Sequence, residues 1–281
     1  MSNNAFSKNK PLVTVAIPLY RGKFIEQAIN SVLSQSFSDF ELLIVDDASD
    51  NKSRDIVLSY SDPRIVFVRN KKNLGAEGNW NRCLALAKGK YIKILPHDDT
   101  LESECLKEQV KVLDADLDEK IALVFCARKI INSEGKQLAV RRFSGMSSGR
   151  IASRDIIRMC VLRGTNLIGE PGAVLFRSKA AKAIGAFNGK IPYVIDLDYW
   201  VRLLSLGNAY FIEKPLSTFR VSSSSWSVRI GGGQSKQFAS FISLVAKNPA
   251  NFIGSIDKII GRIAASINCL ARRMFYLLVI R

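Results

Sequence analysis

Phe40-Glu41-Leu42-Leu43-Ile44-Val45-Asp46-Asp47-Ala48-Ser49-Asp50 runs from an apolar β-stretch straight into paired carboxylates. Further along, Tyr91-Ile92-Lys93-Ile94-Leu95 leads in the same way into Pro96-His97-Asp98-Asp99. Open α/β sheets bind ligands at the carboxyl ends of neighbouring parallel strands, so two acid pairs in that position mark one site. One pair suits a base or a ribose, and the other suits a divalent cation gripping a diphosphate. Together they point to a nucleotide-activated substrate.

The flanking sequence supplies such a sheet. Leu12–Ile17 reads as a strand stopped by Pro18, and Lys23–Gln35 as a helix with Ile25, Ala28, Ile29, Val32 and Leu33 at helical spacing. Strand and helix then alternate: helix Ser53–Tyr60, strand Ile65–Val68, helix Ala76–Ala87, strand Tyr91–Leu95, helix Glu102–Leu113, strand Ile121–Cys126. That alternation predicts a mostly parallel, doubly wound sheet. Lys129–Val140 reads as a hairpin around Ser133-Glu134-Gly135-Lys136, and Phe143–Arg150 as a Ser/Gly loop. Helix Ser153–Leu162, strand Gly172–Phe176, helix Asp196–Leu206 and strand Ala209–Ile212 follow. Ser222–Ser225 and Gly231–Gly233 mark a linker into a tail.

Composition narrows the class. A chain of 281 residues with 47% hydrophobic and 23% charged residues fits one large domain plus a tail. No apolar run approaches the ~18 residues that a spanning helix needs. Residues 1–10 lack an apolar signal region and read as a flexible start. The five cysteines form no CxxC pair, as expected of buried free thiols in a reducing cytoplasm. His97 is the only histidine, which excludes a multi-His metal site and leaves a Ser-His-Asp triad only with His97 as base. Net charge is +16, and the segment from Trp226 to Arg281 holds eight Lys/Arg against Asp257 alone. That balance calls for an anionic partner: nucleic acid, a phosphorylated substrate or an anionic membrane leaflet. In the tail, Ile256, Ile260, Ile263, Ile267, Leu270, Met274 and Leu277 share one helical stripe, with Lys258, Arg262, Arg272 and Arg273 largely off it. Such a basic amphipathic helix either lies in a membrane interface or packs on the main domain.

Four motifs in order resemble family 2 glycosyltransferases, whose fold is GT-A. They are Thr14–Tyr20 with Ser34–Asp50, then Asn73-Leu74-Gly75-Ala76-Glu77-Gly78-Asn79-Trp80-Asn81-Arg82-Cys83-Leu84, then Gly89–Ile92 with His97-Asp98-Asp99, and lastly Asp196-Leu197-Asp198-Tyr199-Trp200-Val201-Arg202-Leu203. The resemblance covers roughly residues 11–225 and leaves 226–281 outside as the basic helical tail. It implies an inverting, metal-dependent transfer of a sugar from a UDP- or dTDP-sugar to a glycan hydroxyl. It also implies, with the basic tail, a lipid-linked acceptor in surface-polysaccharide assembly at the inner membrane face.

The same resemblance distributes roles. Asp47 accepts from the base N–H, while Pro18 and Tyr20 line the base pocket and Asn73 joins the nucleotide site. Asp98 and Asp99 hold Mn²⁺ or Mg²⁺ against the diphosphate, with Asp98 also a nucleotide contact. Pro96 stands where the family often has a first acid, so the metal grip is expected to be weaker. Asp196 is the base that deprotonates the acceptor, although Ile195 replaces the Glu often found before it. Glu170 and Asp198 are the candidate acceptor contacts, Asp198 lying two residues past the base and so elsewhere on its helix. Arg220 is placed to reach the diphosphate. Two other classes compete. A non-catalytic nucleic-acid binder would need aromatics interleaved with the basic residues, which this sequence lacks. A nucleotidyltransferase on a similar sheet would need a glycine-rich opening, where Tyr20-Arg21-Gly22-Lys23 offers a single glycine.

Overall fold

The computed structural model describes residues 10–143, 145–222 and 233–279. Its first half is the alternation expected: β1 (Val13–Leu19), α1 (Ile25–Leu33), β2 (Phe40–Asp46), α2 (Asn51–Leu58), β3 (Ile65–Arg69), α3 (Gly75–Leu86), β4 (Tyr91–Ile94) and α4 (Cys105–Ala115). The second half is β5 (Ile121–Ile131), β6 (Gln137–Arg141), β7 (Gly149–Ile151), α5 (Ser153–Arg163), β8 (Val174–Arg177), α6 (Ser178–Ile184), α7 (Ile195–Leu204), β9 (Asn208–Arg220), α8 (Gln234–Val245) and α9 (Ser255–Val279).

The strands form one sheet in the order β3-β2-β1-β4-β8-β5-β9-β7, with β6 paired to β5. Strands β3, β2, β1 and β4 are mutually parallel. Strand β8 then enters antiparallel between β4 and β5, and β5 and β9 run parallel to each other. The parallel character thus belongs to the first half of the sheet. The central strands β1, β2 and β4 are buried throughout, as a sheet covered on both faces requires. One apolar layer gathers under α1 and α4, and the other under α3, α5 and α7.

Three features escaped the sequence reading. Strand β9 continues well past Ile212 because Pro215 falls at a bulge, where the register against β5 shifts and no ladder N–H is needed. The Ser/Gly segment is partly ordered: Gly149–Ile151 pairs with β9, and Phe143 is buried against Phe125 and Phe211. The tail contains the additional helix α8, and its glycine linker lies largely outside the described residues.

The tail packs on the sheet domain through one side of each helix. Phe238, Phe241 and Ile242 from α8, and Ala265 from α9, belong to the same buried cluster as Phe176 and Trp200. Helix α9 approaches α5 closely because its inner face is small: a Cβ at Gly261 would stand 2.5 Å from the Val161 carbonyl oxygen. Replacing Phe241, fully buried, with Ala should therefore destabilise the whole chain by about 3–5 kcal/mol. Denaturant unfolding checks this, and an unchanged midpoint would contradict the packing.

Candidate active site

The strands β1 to β4 end at one edge, and the chemistry collects there. Pro18 lies past the last rung between β1 and β4, Ala16↔Ile94, so its missing N–H removes no bond from that ladder. Beyond it the chain carries Tyr20, which is 41% exposed, with the Arg21 guanidinium over its ring. Strand β2 ends in Asp46, whose Oδ1 accepts from Ser49 N at 3.0 Å, while Arg69 Nε stands 3.4 Å from Oδ2. The following turn places Ala48 at φ 56, a left-handed position that an L-residue occupies at some cost.

Asp47 is buried and heavily bonded. Its Oδ1 accepts from Leu74 N and from Asn70 Nδ2, at 2.8 and 2.9 Å, and its Oδ2 accepts from Gly75 N at 2.9 Å. It therefore anchors the start of α3, where free N–H groups and the helix dipole favour a carboxylate. Asn73 is exposed and donates to the Asp47 carbonyl. Asn70 went unnoticed in the sequence, although it stands directly after β3, the position that marked the other site residues.

The Pro96–Asp99 turn separates its two acids. Asp98 is partly exposed, whereas Asp99 is 1% exposed and its Oδ1 accepts from the Arg220 backbone N–H at 2.8 Å. Burial, then the neighbouring Asp98 charge, push the Asp99 carboxyl well above its ordinary range. Arg220 was expected to reach a diphosphate, but it is 1% exposed and supports this turn from beneath. Its guanidinium donates to the carbonyls of Asp98, Asn132 and Ser133 and to Gln27 Oε1, and it stacks on Phe24 at 4.1 Å. His97 packs its ring over Gly22.

Glu170 lies close enough to influence both Asp99 and Asp196. Its Oε2 is 2.5 Å from Arg128 Nε, and its Oε1 is 3.9 Å from Arg141 Nη1. Burial works to raise its carboxyl, but the two arginines outweigh that and hold it below the ordinary range. Asp196, in the first turn of α7, accepts from Leu197 N at 2.7 Å and from Asn166 Nδ2 at 3.0 Å. Burial and the Glu170 charge nevertheless lift it to about 7, a value suited to a general base near neutral pH. Asn166 is fixed in turn by Gly169, whose carbonyl also accepts from Trp200 Nε1. Asn166 and Arg128 gave no signal in the sequence, because only the long β5 and the Gly169 turn bring them to the acids. Asp198 is not part of this group. It pairs with Arg202 at 3.0 Å and lines a separate cavity of about 380 Å³ with Lys190 and Lys247.

This edge has acids after the second and fourth strands and a further aspartate on a later helix. The family model described as glycosyl transferase family 2 matches residues 14–185, more than half of the chain. The chain belongs to that family. Among family 2 relatives, the Rickettsia typhi uncharacterized glycosyltransferase RT0329 is 28% identical over 79% of this chain and 66% of its own length. Other rickettsial relatives are longer, the matched part covering 34–37% of them. Bacillus subtilis TuaG, a glycosyltransferase assigned to teichuronic acid biosynthesis, is 34% identical over 46% of this chain and 51% of its own. Of solved structures, S. aureus TarS 1-349 in complex with UDP-GlcNAc has a TM-score of 0.65 at 18% identity, over 84% of this chain and 65% of that one. The Pyrobaculum calidifontis mannosyltransferase PcManGT in complex with GDP-Man and Mn²⁺ has a TM-score of 0.64 at 17% identity, over 96% and 76%. These likenesses give the GT-A fold.

GT-A enzymes commonly use a divalent cation, and the residues present fit one in a restricted way. Among the described residues no three His, Cys, Asp or Glu side chains converge. Asp98 offers the open carboxylate of the turn, and Asp99 behind it is a carboxyl driven up first by burial and then by the Asp98 charge. A cation with oxygen ligands fits at Asp98 provided that phosphate oxygens complete its shell.

The Asp196 shift has a thermodynamic consequence. From the ordinary 3.8 up to about 7, the folded chain holds a proton that the unfolded chain has released. Stability must therefore fall as pH rises through that window. The Asp196→Asn variant lacks this term and should gain on the order of 2 kcal/mol relative to the parent between pH 5 and pH 8. Thermal unfolding at the two pH values measures the difference, and equal pH dependence would remove Asp196 from its buried, raised state.

Proposed function

We propose that the chain transfers a sugar from a UDP- or dTDP-sugar to a glycan hydroxyl with inversion, using a divalent cation, and that the acceptor is carried on a lipid. The observation that carries this reading is that one acid, Glu170, lies close enough to act on both Asp99 of the turn and Asp196. A donor diphosphate at Asp98 would leave its sugar between the turn and the base. Asp196 then takes the acceptor hydroxyl proton as that oxygen bonds to the anomeric carbon, and the bond from that carbon to the diphosphate oxygen breaks on the opposite face. The bound cation would neutralise charge on the diphosphate.

For the base, Tyr20 offers an exposed ring. Asp47 Oδ2, with a single donor from Gly75, keeps a lone pair for the N3–H of uracil or thymine. TarS, seen with UDP-GlcNAc and with UDP, supports a uridine donor on this fold, and PcManGT with Mn²⁺ supports the cation. TuaG supports polysaccharide synthesis.

A lipid-borne acceptor is supported by α9. No helix of the described residues is long and apolar enough to cross a membrane. Yet α9 shows solvent a strip from Ile256 (73% exposed) through Ile263 and Ile267 to Leu277 (74%). Arg262 and Arg273 are exposed on the same helix, while its one acid, Asp257, is buried and paired to Arg158. An anionic leaflet complements that face, and attachment there would make the enzyme peripheral on the cytoplasmic side.

Calorimetric titration should show UDP binding that needs Mn²⁺ and is lost in Asp98→Asn, whereas Asp196→Asn should keep UDP affinity and lose about 10²–10⁴-fold in transfer. Absence of UDP and dTDP binding in every condition would sink the donor assignment. In vesicle flotation, the protein should float with anionic but not zwitterionic vesicles, and Ile263→Asp with Ile267→Asp should abolish this. A concentration-dependent dimer without flotation would instead make the strip a contact between copies.

A further inference from the structure

The wall around Asp196 contains more guanidinium groups than it needs for its own acids. Arg128 is consumed by Glu170 at 2.5 Å, its side chain 4% exposed. Arg141, at the end of β6, keeps a side chain 42% exposed, and its nearest carboxylate oxygen is the 3.9 Å contact to Glu170. No hydrogen bond of its guanidinium is formed among the described residues. Arg272 reaches the same wall from α9: its guanidinium lies 5.5 Å from the centre of the Tyr193 ring, and its Nε donates to Gln234 Oε1 at 2.7 Å. Its Nη2 is shielded from solvent and meets no acceptor among the described residues. Tyr193 stands three residues before Asp196 and is itself held by α8, its N–H donating to Gln237 Oε1 at 2.8 Å. Arg128 and Arg141 therefore face Glu170, while Arg272 stands on Tyr193, close enough for its charge to act on Arg141, and Tyr193 also feels the charge of Asp196. Burial comes first in holding the Arg141 guanidinium below its ordinary range, and both Arg128 and Arg272 add repulsion.

A sheltered donor without an acceptor is costly, and so is partly desolvated positive charge whose one counterion, Glu170, is already engaged by Arg128. A neutral sugar hydroxyl would not relieve either. An oxyanion would, because planar guanidinium groups present paired donors that match phosphate oxygens. The donor diphosphate is a poor candidate for this role, since among the described residues these arginines contact Glu170, Gln234 and Tyr193 and not the Asp98–Asp99 turn. We propose that Arg141 and Arg272 form an anion subsite that binds a phosphate group of the acceptor beside the hydroxyl served by Asp196. The inference rests on the reading of Asp196 as the acceptor base. It adds that the acceptor is a phosphate ester, whose phosphate belongs either to a lipid carrier or to the glycan itself.

The test is ligand-observed NMR titration on the full chain saturated with UDP and Mn²⁺, with sn-glycerol 3-phosphate as probe and glycerol as neutral control. The phosphate ester should bind and glycerol should not. Arg141→Gln and Arg272→Gln should each weaken the phosphate ester about tenfold, with Arg→Lys restoring part of the loss and UDP affinity unchanged throughout. The lysine variants, which keep the charge, and a thermal melt of each protein separate this effect from misfolding. Equal binding of glycerol and glycerol phosphate overturns the proposal. So does a fall in UDP affinity with phosphate binding intact, which would give these arginines to the donor. Farnesyl diphosphate as a second probe assigns the source: tighter binding than glycerol phosphate supports a lipid carrier, and equal binding supports a phosphate within the glycan. If the parent protein binds glycerol phosphate but no nucleotide, the donor reading fails while the anion subsite stands.

Discussion

The buried contact between Asp99 and Arg220 holds the candidate site together. One carboxylate, 1% exposed, accepts the backbone N–H of a residue 121 positions later, and the side chain of that residue returns to the carbonyl beside it. The same guanidinium reaches the turn after β5 and the first turn of α1. Four separate segments thus share one charged cluster away from water. Buried polar groups persist only when hydrogen-bonded, and leaving one without its partner typically costs about 1–3 kcal/mol. The consequence for function is positional. Because Asp99 and Arg220 are committed inward, Asp98 is left facing out at a fixed height above the ends of the parallel strands.

The second acid pair follows the same division of labour. Asp46 closes its own turn through Ser49, and Asp47 fastens the start of α3 through Leu74, Gly75 and Asn70. Each pair after a strand therefore spends most of its hydrogen-bonding capacity on the backbone around it. What remains for a ligand is small and directed: one open carboxylate at Asp98 and one lone pair at Asp47 Oδ2. This economy agrees with Pro96 standing where the family often has an acid. A site with a single open carboxylate holds a divalent cation weakly alone, so cation and nucleotide should stabilise each other's binding.

The sequence revealed the strand ends well and the side-chain commitments poorly. Apolar runs leading into Asp46-Asp47 and Asp98-Asp99 located the ligand edge, because strand period and burial are local properties. The length of β9 was hidden by Pro215, which reads locally as a stop and is tolerated only because β5 offers a bulge. Arg220 looked like a phosphate ligand, since nothing adjacent to it announces that Asp98, Asn132 and Gln27 will enclose it. Asp198 looked like an acceptor contact lying elsewhere on the helix from Asp196. Two residues on a helix amount to about 200°, and its ion pair with Arg202 holds it on the other side. Asn166 and Arg141 became visible only when chain segments far apart in sequence met around Glu170.

Helix α9 joins two kinds of surface that sequence analysis had assigned to one property. Its basic and apolar residues suggested a helix at a membrane interface or one packed on the main domain; the fold packs one side of it and leaves the apolar strip exposed. Gly261 and Ala265 are small enough for α9 to lie close against α5, which fixes the rotation of the helix. With that rotation set, Ile263 and Ile267 face solvent, and Arg272 is turned inward onto Tyr193. A contact made by the outer strip would thus be rigidly connected, through a single helix, to the Arg272 guanidinium on Tyr193, three positions before Asp196 in the chain. An acceptor anchored in a bilayer would then meet the base at a height fixed by packing, which supplies orientation without further closure of the enzyme.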